Sequence, residues 1–180
     1  LLAYGVLRGG SEVWRCTEEA AAATGCTVEP ELGINFTAGL TFLLICSSVT
    51  MVLSLAAMME GDRKGAIKWL SLTVLGGALF LCGQAQEYWG TFSFIFGHEG
   101  LIDEGLIFGQ SHYATTFYCI TGFHGLHVLT GVIYLSTILI RLVRGGYADG
   151  NYGQLELAGL FWHFVDLVWI LVFTFLYLIP

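Results

Sequence analysis

From Phe36 onward the chain is a succession of long apolar runs broken by short polar ones. The runs cover residues 36–59, 66–89, 110–143 and 155–179. At 1.5 Å rise per residue, the first of them reaches roughly 36 Å as a helix, enough for a bilayer core of about 30 Å with some tilt. The third is longer and must tilt further or project from the bilayer. Trp69 and the pair Tyr88-Trp89 stand near opposite ends of the second run, where interfacial aromatic side chains belong. Gln84, Gln86 and Glu87 at its end are too polar for lipid and suit either the headgroup region or a protein neighbour. Leu1 to Leu7 reads as the tail of a preceding apolar helix that stops at Arg8-Gly9-Gly10. The expected fold is therefore an all-α integral membrane protein in one membrane domain. It has four complete transmembrane helices and the end of an earlier one, and lacks its true beginning.

Composition agrees: 56% of residues are hydrophobic, only 12% are charged, and the mean hydropathy is +0.72. Fourteen acidic against seven basic residues give a formal charge of −7, which excludes a nucleic-acid binder. The basic residues sort by loop. Arg63, Lys64 and Lys68 flank the first tight turn and Arg141 and Arg144 the loop before the last helix, against Arg8 and Arg15 on the other side. Basic loops stay inside, so the 60–65 and 144–153 loops are expected on the inner face and the acidic 9–35 and 97–109 loops on the outer face. Cys16 and Cys26 in the outer loop are then disulfide candidates, whereas Cys46, Cys82 and Cys119 lie in apolar runs as expected packing residues.

The chemistry-bearing residues lie within the apolar runs. His124 and His127 are three apart on the third helix, hence on nearly one face. On the fourth, Glu156, His163 and Asp166 follow at spacings of seven and three, again one face. Polar faces on consecutive antiparallel helices should meet, which predicts a structural hydrogen-bonded cluster of His127, His163 and Asp166, joined by His124. Two sharper alternatives compete with it. Haem ligation needs histidines at matched depth on facing helices, and the fourth helix offers only His163, with His112 far out on the third. Copper or zinc held by His124, His127 and His163 would have only Asp166 and the distant Cys119 as further donors. Gly122, Gly125, Gly131, Gly76-Gly77 and Gly159 mark places for close helix approach.

Four segments also resemble a known family in order and spacing. They are Met59-Glu60-Gly61-Asp62-Arg63-Lys64, Gln84-Ala85-Gln86-Glu87-Tyr88, Thr121-Gly122-Phe123-His124-Gly125-Leu126-His127-Val128 and Trp162-His163-Phe164-Val165-Asp166-Leu167-Val168-Trp169. Together they resemble subunit III of haem–copper oxidases of the cytochrome c oxidase type, over roughly residues 36–180. The resemblance implies a non-catalytic helical subunit packed on subunit I of a proton-pumping terminal oxidase in a bacterial plasma membrane or mitochondrial inner membrane. It implies haem and copper in subunits I and II, with no redox centre, catalytic residue or metal in this chain. It further implies bound phospholipid, support of sustained activity, and proton uptake near the inner surface. Longer members have two further N-terminal helices and a lipid cleft beside them. The chain looks like the five-helix form, so a membrane glutamate carried by the truncated helix has no position here.

Three inner carboxylates, Glu60, Asp62 and Glu156, are candidates for a proton-uptake surface, with a solvated or salt-bridged turn as the plainer alternative. The 9–35 loop suits a neighbouring subunit, another respiratory complex or a basic electron carrier, with a merely solvated acidic loop as the equal alternative. A quinol oxidase subunit is the near alternative, and an independent membrane redox protein with a cofactor at the histidines the distant one.

Overall fold

Hydroxyl-bearing residues recur through the first apolar run at 37, 41, 47, 48 and 54, and their placement fixes how the helices assemble. A computed structural model describes residues 5–6, 8–9, 33–89, 101–102, 112–147 and 153–178, and among these the chain forms four long helices. They are α1 (Ile34–Met59), α2 (Arg63–Trp89), α3 (His112–Val143) and α4 (Gly153–Phe173), the last passing into a wider π-type turn at Thr174–Leu178. All four are long and apolar enough to cross a membrane. Helix α1 packs on α2 and α4, and α3 completes the ring between α2 and α4.

The interior mixes large apolar side chains such as Leu44, Met51 and Phe80 with an unusual number of hydroxyls. Thr37, Thr41, Ser47, Ser48 and Ser54 of α1 are buried, while Phe42, Val49 and Val52 are exposed. Lipid tails supply little drive to sort apolar residues inward, so small residues that let backbones approach and hydroxyls that bond across helices share the interior with them. Thr50 and Thr73 hydroxyls join α1 to α2 at 2.8 Å, and Ser54 donates to the Ala66 carbonyl at 3.1 Å. Trp162 of α4, 1% exposed, fills the middle of the ring. Its Nε1 donates to Ser47 Oγ of α1 at 3.1 Å. A Cβ placed on Gly77 of α2 would lie 2.5 Å from the indole, and one on Gly131 of α3 2.9 Å from it. Glycine at these two places is what lets three helices close around one indole.

Helix ends follow caps rather than hydrophobicity. Sequence pattern starts the second helix at Ala66, but the structure starts α2 at Arg63 because Asp62 Oδ1 accepts the Gly65 N–H at 3.1 Å, an N-cap bond. Arg63 then reaches α3: its Nε and Nη2 donate to the Leu142 carbonyl at 3.0 and 2.6 Å, and Nη2 to Val143 at 2.9 Å. Those carbonyls lie in the last turn, where partners within the helix run out; that of Leu142 also accepts the Gly145 N–H at 3.3 Å. Arg63→Gln is expected to lower bundle stability by about 1 kcal/mol, read as a lower midpoint of thermal unfolding in detergent.

The free cysteines correct one expectation. Cys46, Cys82 and Cys119 are exposed on the outer faces of α1, α2 and α3 rather than packed inside. Cys16, Cys26 and most of the acidic 9–35 and 97–109 loops lie outside the described residues.

Candidate functional site

Helix α4 carries the bundle's inward polar face, and α1 receives it. Trp162, Asp166 and Trp169 are buried along one face, with His163 half-buried beside them. His163 Nδ1 lies 3.2 Å from Ser48 Oγ of α1, and Asp166 interacts with the same hydroxyl and with His163. With Nδ1 protonated, His163 donates to Ser48, leaving the hydroxyl proton for Asp166. Asp166 Oδ1 remains buried without a partner. Trp169 Nε1 donates to Thr41 Oγ1 at 3.0 Å, so α4 is laced to α1 by Ser47, Ser48 and Thr41 in turn.

The two histidines of α3 serve differently. His124, 5% exposed, stacks on Trp169 with ring centroids 4.7 Å apart and meets Phe80 edge-on at 5.9 Å. Its Nε2 is buried with no hydrogen-bond partner. His127 is exposed, and its Nδ1 lies 2.7 Å from the Phe123 carbonyl of its own helix. A groove of about 480 Å³ between α3 and α4 is lined by both imidazoles with Cys119, Phe123, Phe164 and Val168 among others.

The expected cluster therefore divides. His163 and Asp166 do share a face, but that face turns to α1 and not to α3, because a line of buried hydroxyls on α1 offers them partners. His124 is an aromatic packing element, and His127 bonds within its own helix. Among the described residues no three His, Cys, Asp or Glu side chains come together as metal ligands. The donor set does not fit a haem or a copper ion, since the imidazoles that would have to converge point to different neighbours.

A second buried polar group sits at the far end of α2. Gln84, Gln86 and Glu87 are inside the bundle. Thr37 Oγ1 donates to Glu87 Oε1 at 2.9 Å, and the other carboxyl oxygen and the Tyr177 hydroxyl, which are close enough to interact, are both buried without a well-formed hydrogen bond. Gln84 donates to the Thr121 carbonyl at 2.8 Å and Tyr88 to the Thr121 hydroxyl at 2.5 Å, joining α2 to α3. Sequence inspection leaves this group between headgroups and a protein neighbour; the same hydroxyl periodicity on α1 that receives α4 would have assigned it to the interior. Glu60, Asp62 and Glu156 are all exposed at the opposite end, where the α1–α2 turn lies against the end of α3.

A family model described as "Cytochrome c oxidase subunit III" matches residues 27–179. The "Cytochrome c oxidase subunit 3" of Corynebacterium diphtheriae is 36% identical over 148 residues, 82% of this chain and 67% of that protein. That of Alkalihalophilus pseudofirmus is 33% identical over 156 residues, 87% of this chain and 71% of the relative. The Gallus gallus protein of the same name is 36% identical over 137 residues, covering 76% of this chain and 48% of the longer relative.

Proposed function

The chain belongs to the cytochrome c oxidase subunit III family, and from that premise we propose that it is a non-catalytic subunit of a proton-pumping terminal oxidase. The observation that carries the proposal is the family match running through all four helices. Trp162, His163 and Trp169 bond between helices, and among the described residues no three His, Cys, Asp or Glu side chains gather as a ligand set. Its part is to brace subunit I, hold phospholipid and sustain turnover, with haem and copper carried by subunits I and II. Its membrane is a bacterial plasma membrane or mitochondrial inner membrane, the 60–65 and 144–153 loops facing inward.

An affinity tag on this chain should bring down the haem-bearing subunits from solubilised membranes, with oxygen uptake on reduced cytochrome c. Removing the chain should leave the initial rate near that of the intact complex but shorten the time over which it is held. Recovery of the chain without haem-bearing subunits would reject the proposal. Cytochrome c is the proposed donor because the relatives carry that name; uptake on quinol and not on cytochrome c would move the complex to the quinol class.

The exposed carboxylates Glu60, Asp62 and Glu156 are proposed to hold protons near an inner uptake path. Glu60→Gln with Asp62→Asn removes two of them while keeping the α2 cap, since Asn caps as well as Asp. Turnover of this variant is expected to fall severalfold at high pH, where protons are scarce, and to match the parent at low pH. A pH profile superimposable on the parent's would remove these residues from proton supply.

A further inference from the structure

A line of aromatic rings in contact runs from the middle of the bundle to the end of α2. The ring centroid of Trp169 lies 6.5 Å from that of Tyr177, and Tyr177 lies 5.5 Å from Phe117. Phe117 is 5.6 Å from Tyr118, Tyr118 5.2 Å from Tyr88, and Tyr88 6.0 Å from Trp89. Trp169 is 1% exposed and Trp89 63% exposed, so the line joins a buried end to an open one. Ring contacts at these distances are ordinary packing. The composition of the line is less so: apart from Phe117 it consists of tyrosine and tryptophan, the aromatic side chains that give up one electron most readily.

One member of the line stands beside a base. A tyrosine that loses an electron must also lose its phenolic proton, so it needs an acceptor within reach. The Tyr177 hydroxyl and Glu87 Oε2 are close enough to interact, and both are buried. Thr37 Oγ1 donates to the other carboxyl oxygen of Glu87 at 2.9 Å, which leaves Oε2 for the phenol. The π-type turn at Thr174–Leu178 brings this about, since a π-turn stacks a residue over the one five before it and thus sets Tyr177 inward after the buried Val172. Tyr88 has only a neutral acceptor, the Thr121 hydroxyl.

We propose that the line is a one-electron relay, with Tyr177 as its redox-active tyrosine. An oxidant of the class formed from partly reduced oxygen takes one electron from Trp169. Tyr177 refills the Trp169 radical cation across their ring contact, its phenolic proton passes to Glu87 Oε2, and a neutral tyrosyl radical is left. An external reductant then gives one electron at Trp89. That electron moves by way of Tyr88 and Tyr118 and crosses Phe117, which transmits it without being oxidised, and the proton returns from Glu87 to Tyr177. In sum the oxidant gains one electron, the reductant loses one, and the chain is restored. The relay needs only the helices as they are packed and does not depend on the oxidase assignment.

The test is pulse radiolysis of the full chain in detergent, with azide radicals as the oxidant. Azide radicals remove an electron from tryptophan first, and tryptophan and tyrosyl radicals differ in absorption. Part of the tryptophan radical should convert to tyrosyl radical at a rate independent of protein concentration, and freeze-quench electron paramagnetic resonance should place the final radical on Tyr177. Tyr177→Phe should abolish that final signal, and Tyr118→Phe should slow its appearance severalfold. Glu87→Gln, which keeps the shape and removes the base, should lower its yield severalfold. Tyr134→Phe, on α3 but outside the line, should change nothing. Tyr177→Phe and Tyr118→Phe keep the rings, and unfolding midpoints close to the parent's confirm that the bundle is intact. An unchanged final signal in Tyr177→Phe, an unchanged rate in Tyr118→Phe, an unchanged yield in Glu87→Gln, or an equal loss in Tyr134→Phe would overturn the proposal.

Discussion

Gly77→Val is expected to prevent the bundle from closing, at a cost of about 3 kcal/mol or more, the upper end of the range for overpacking a filled interior. Gly77 Cα faces the six-membered ring of Trp162 on one side and Val132 on the other, at 2.5 and 2.7 Å from where a Cβ would stand. The indole has little room to retreat. The indole is pinned by its hydrogen bond to Ser47 and by Gly131 behind it. Even Gly77→Ala should cost about 1 to 3 kcal/mol. The cause is separable from a general intolerance of helix α2, because Trp162→Phe removes the ring atoms that the new Cβ would strike. The double variant Gly77→Ala with Trp162→Phe should therefore be more stable than the sum of the two single effects allows, by about 1 kcal/mol or more. Unfolding midpoints in mixed detergent across the four proteins measure that coupling, and strict additivity would show that Trp162 is not the obstacle.

Trp169→Ala is expected to cost about 3 to 5 kcal/mol, the usual figure for emptying a buried tryptophan site. Trp169 is 1% exposed and touches three elements at once. Its ring stacks on His124 of α3, meets Phe80 of α2 edge-on at 4.8 Å, and donates to Thr41 of α1. Trp169→Phe keeps most of the packing and loses the Nε1–H bond, so its cost should be about 1 kcal/mol. The same detergent unfolding measurement, together with retention of the chain in the purified complex, checks both. If Trp169→Ala and Trp169→Phe are equally mild, the α3–α4 contact does not depend on this ring.

The helices were legible in the sequence because runs of two dozen apolar residues admit few other structures in a bilayer. Their exact starts were less so: α2 begins among charged residues, since the Asp62 cap and not the hydrophobic edge sets it. The polar site was legible by face and misread by partner. His163 and Asp166 stand three apart and do share a side of α4, but adjacency in sequence suggested α3 as the recipient. In a closed ring α4 has two neighbours, and the one that can answer a donor decides. Thr41, Ser47 and Ser48 carried that information as small hydroxyl residues in a stretch whose hydropathy masks them. Glu87 shows the same limit, since a carboxyl near a helix end looks interfacial until Thr37 on another helix is placed beside it.

The division of bonds around α1 also sets an order of events during synthesis. The α1–α2 pair is complete in itself, with the Asp62 cap, the Thr50–Thr73 bond and the Ser54–Ala66 bond all formed between segments that leave the ribosome together. Thr41, Ser47 and Ser48 instead wait for the last helix, more than a hundred residues later. Until α4 arrives, the hairpin presents a row of hydroxyls to lipid. A chain interrupted before residue 153 would keep the bonds these hydroxyls donate within α1, from Thr41 to Thr37 and from Ser47 to Leu44, and lack every bond they make to α4.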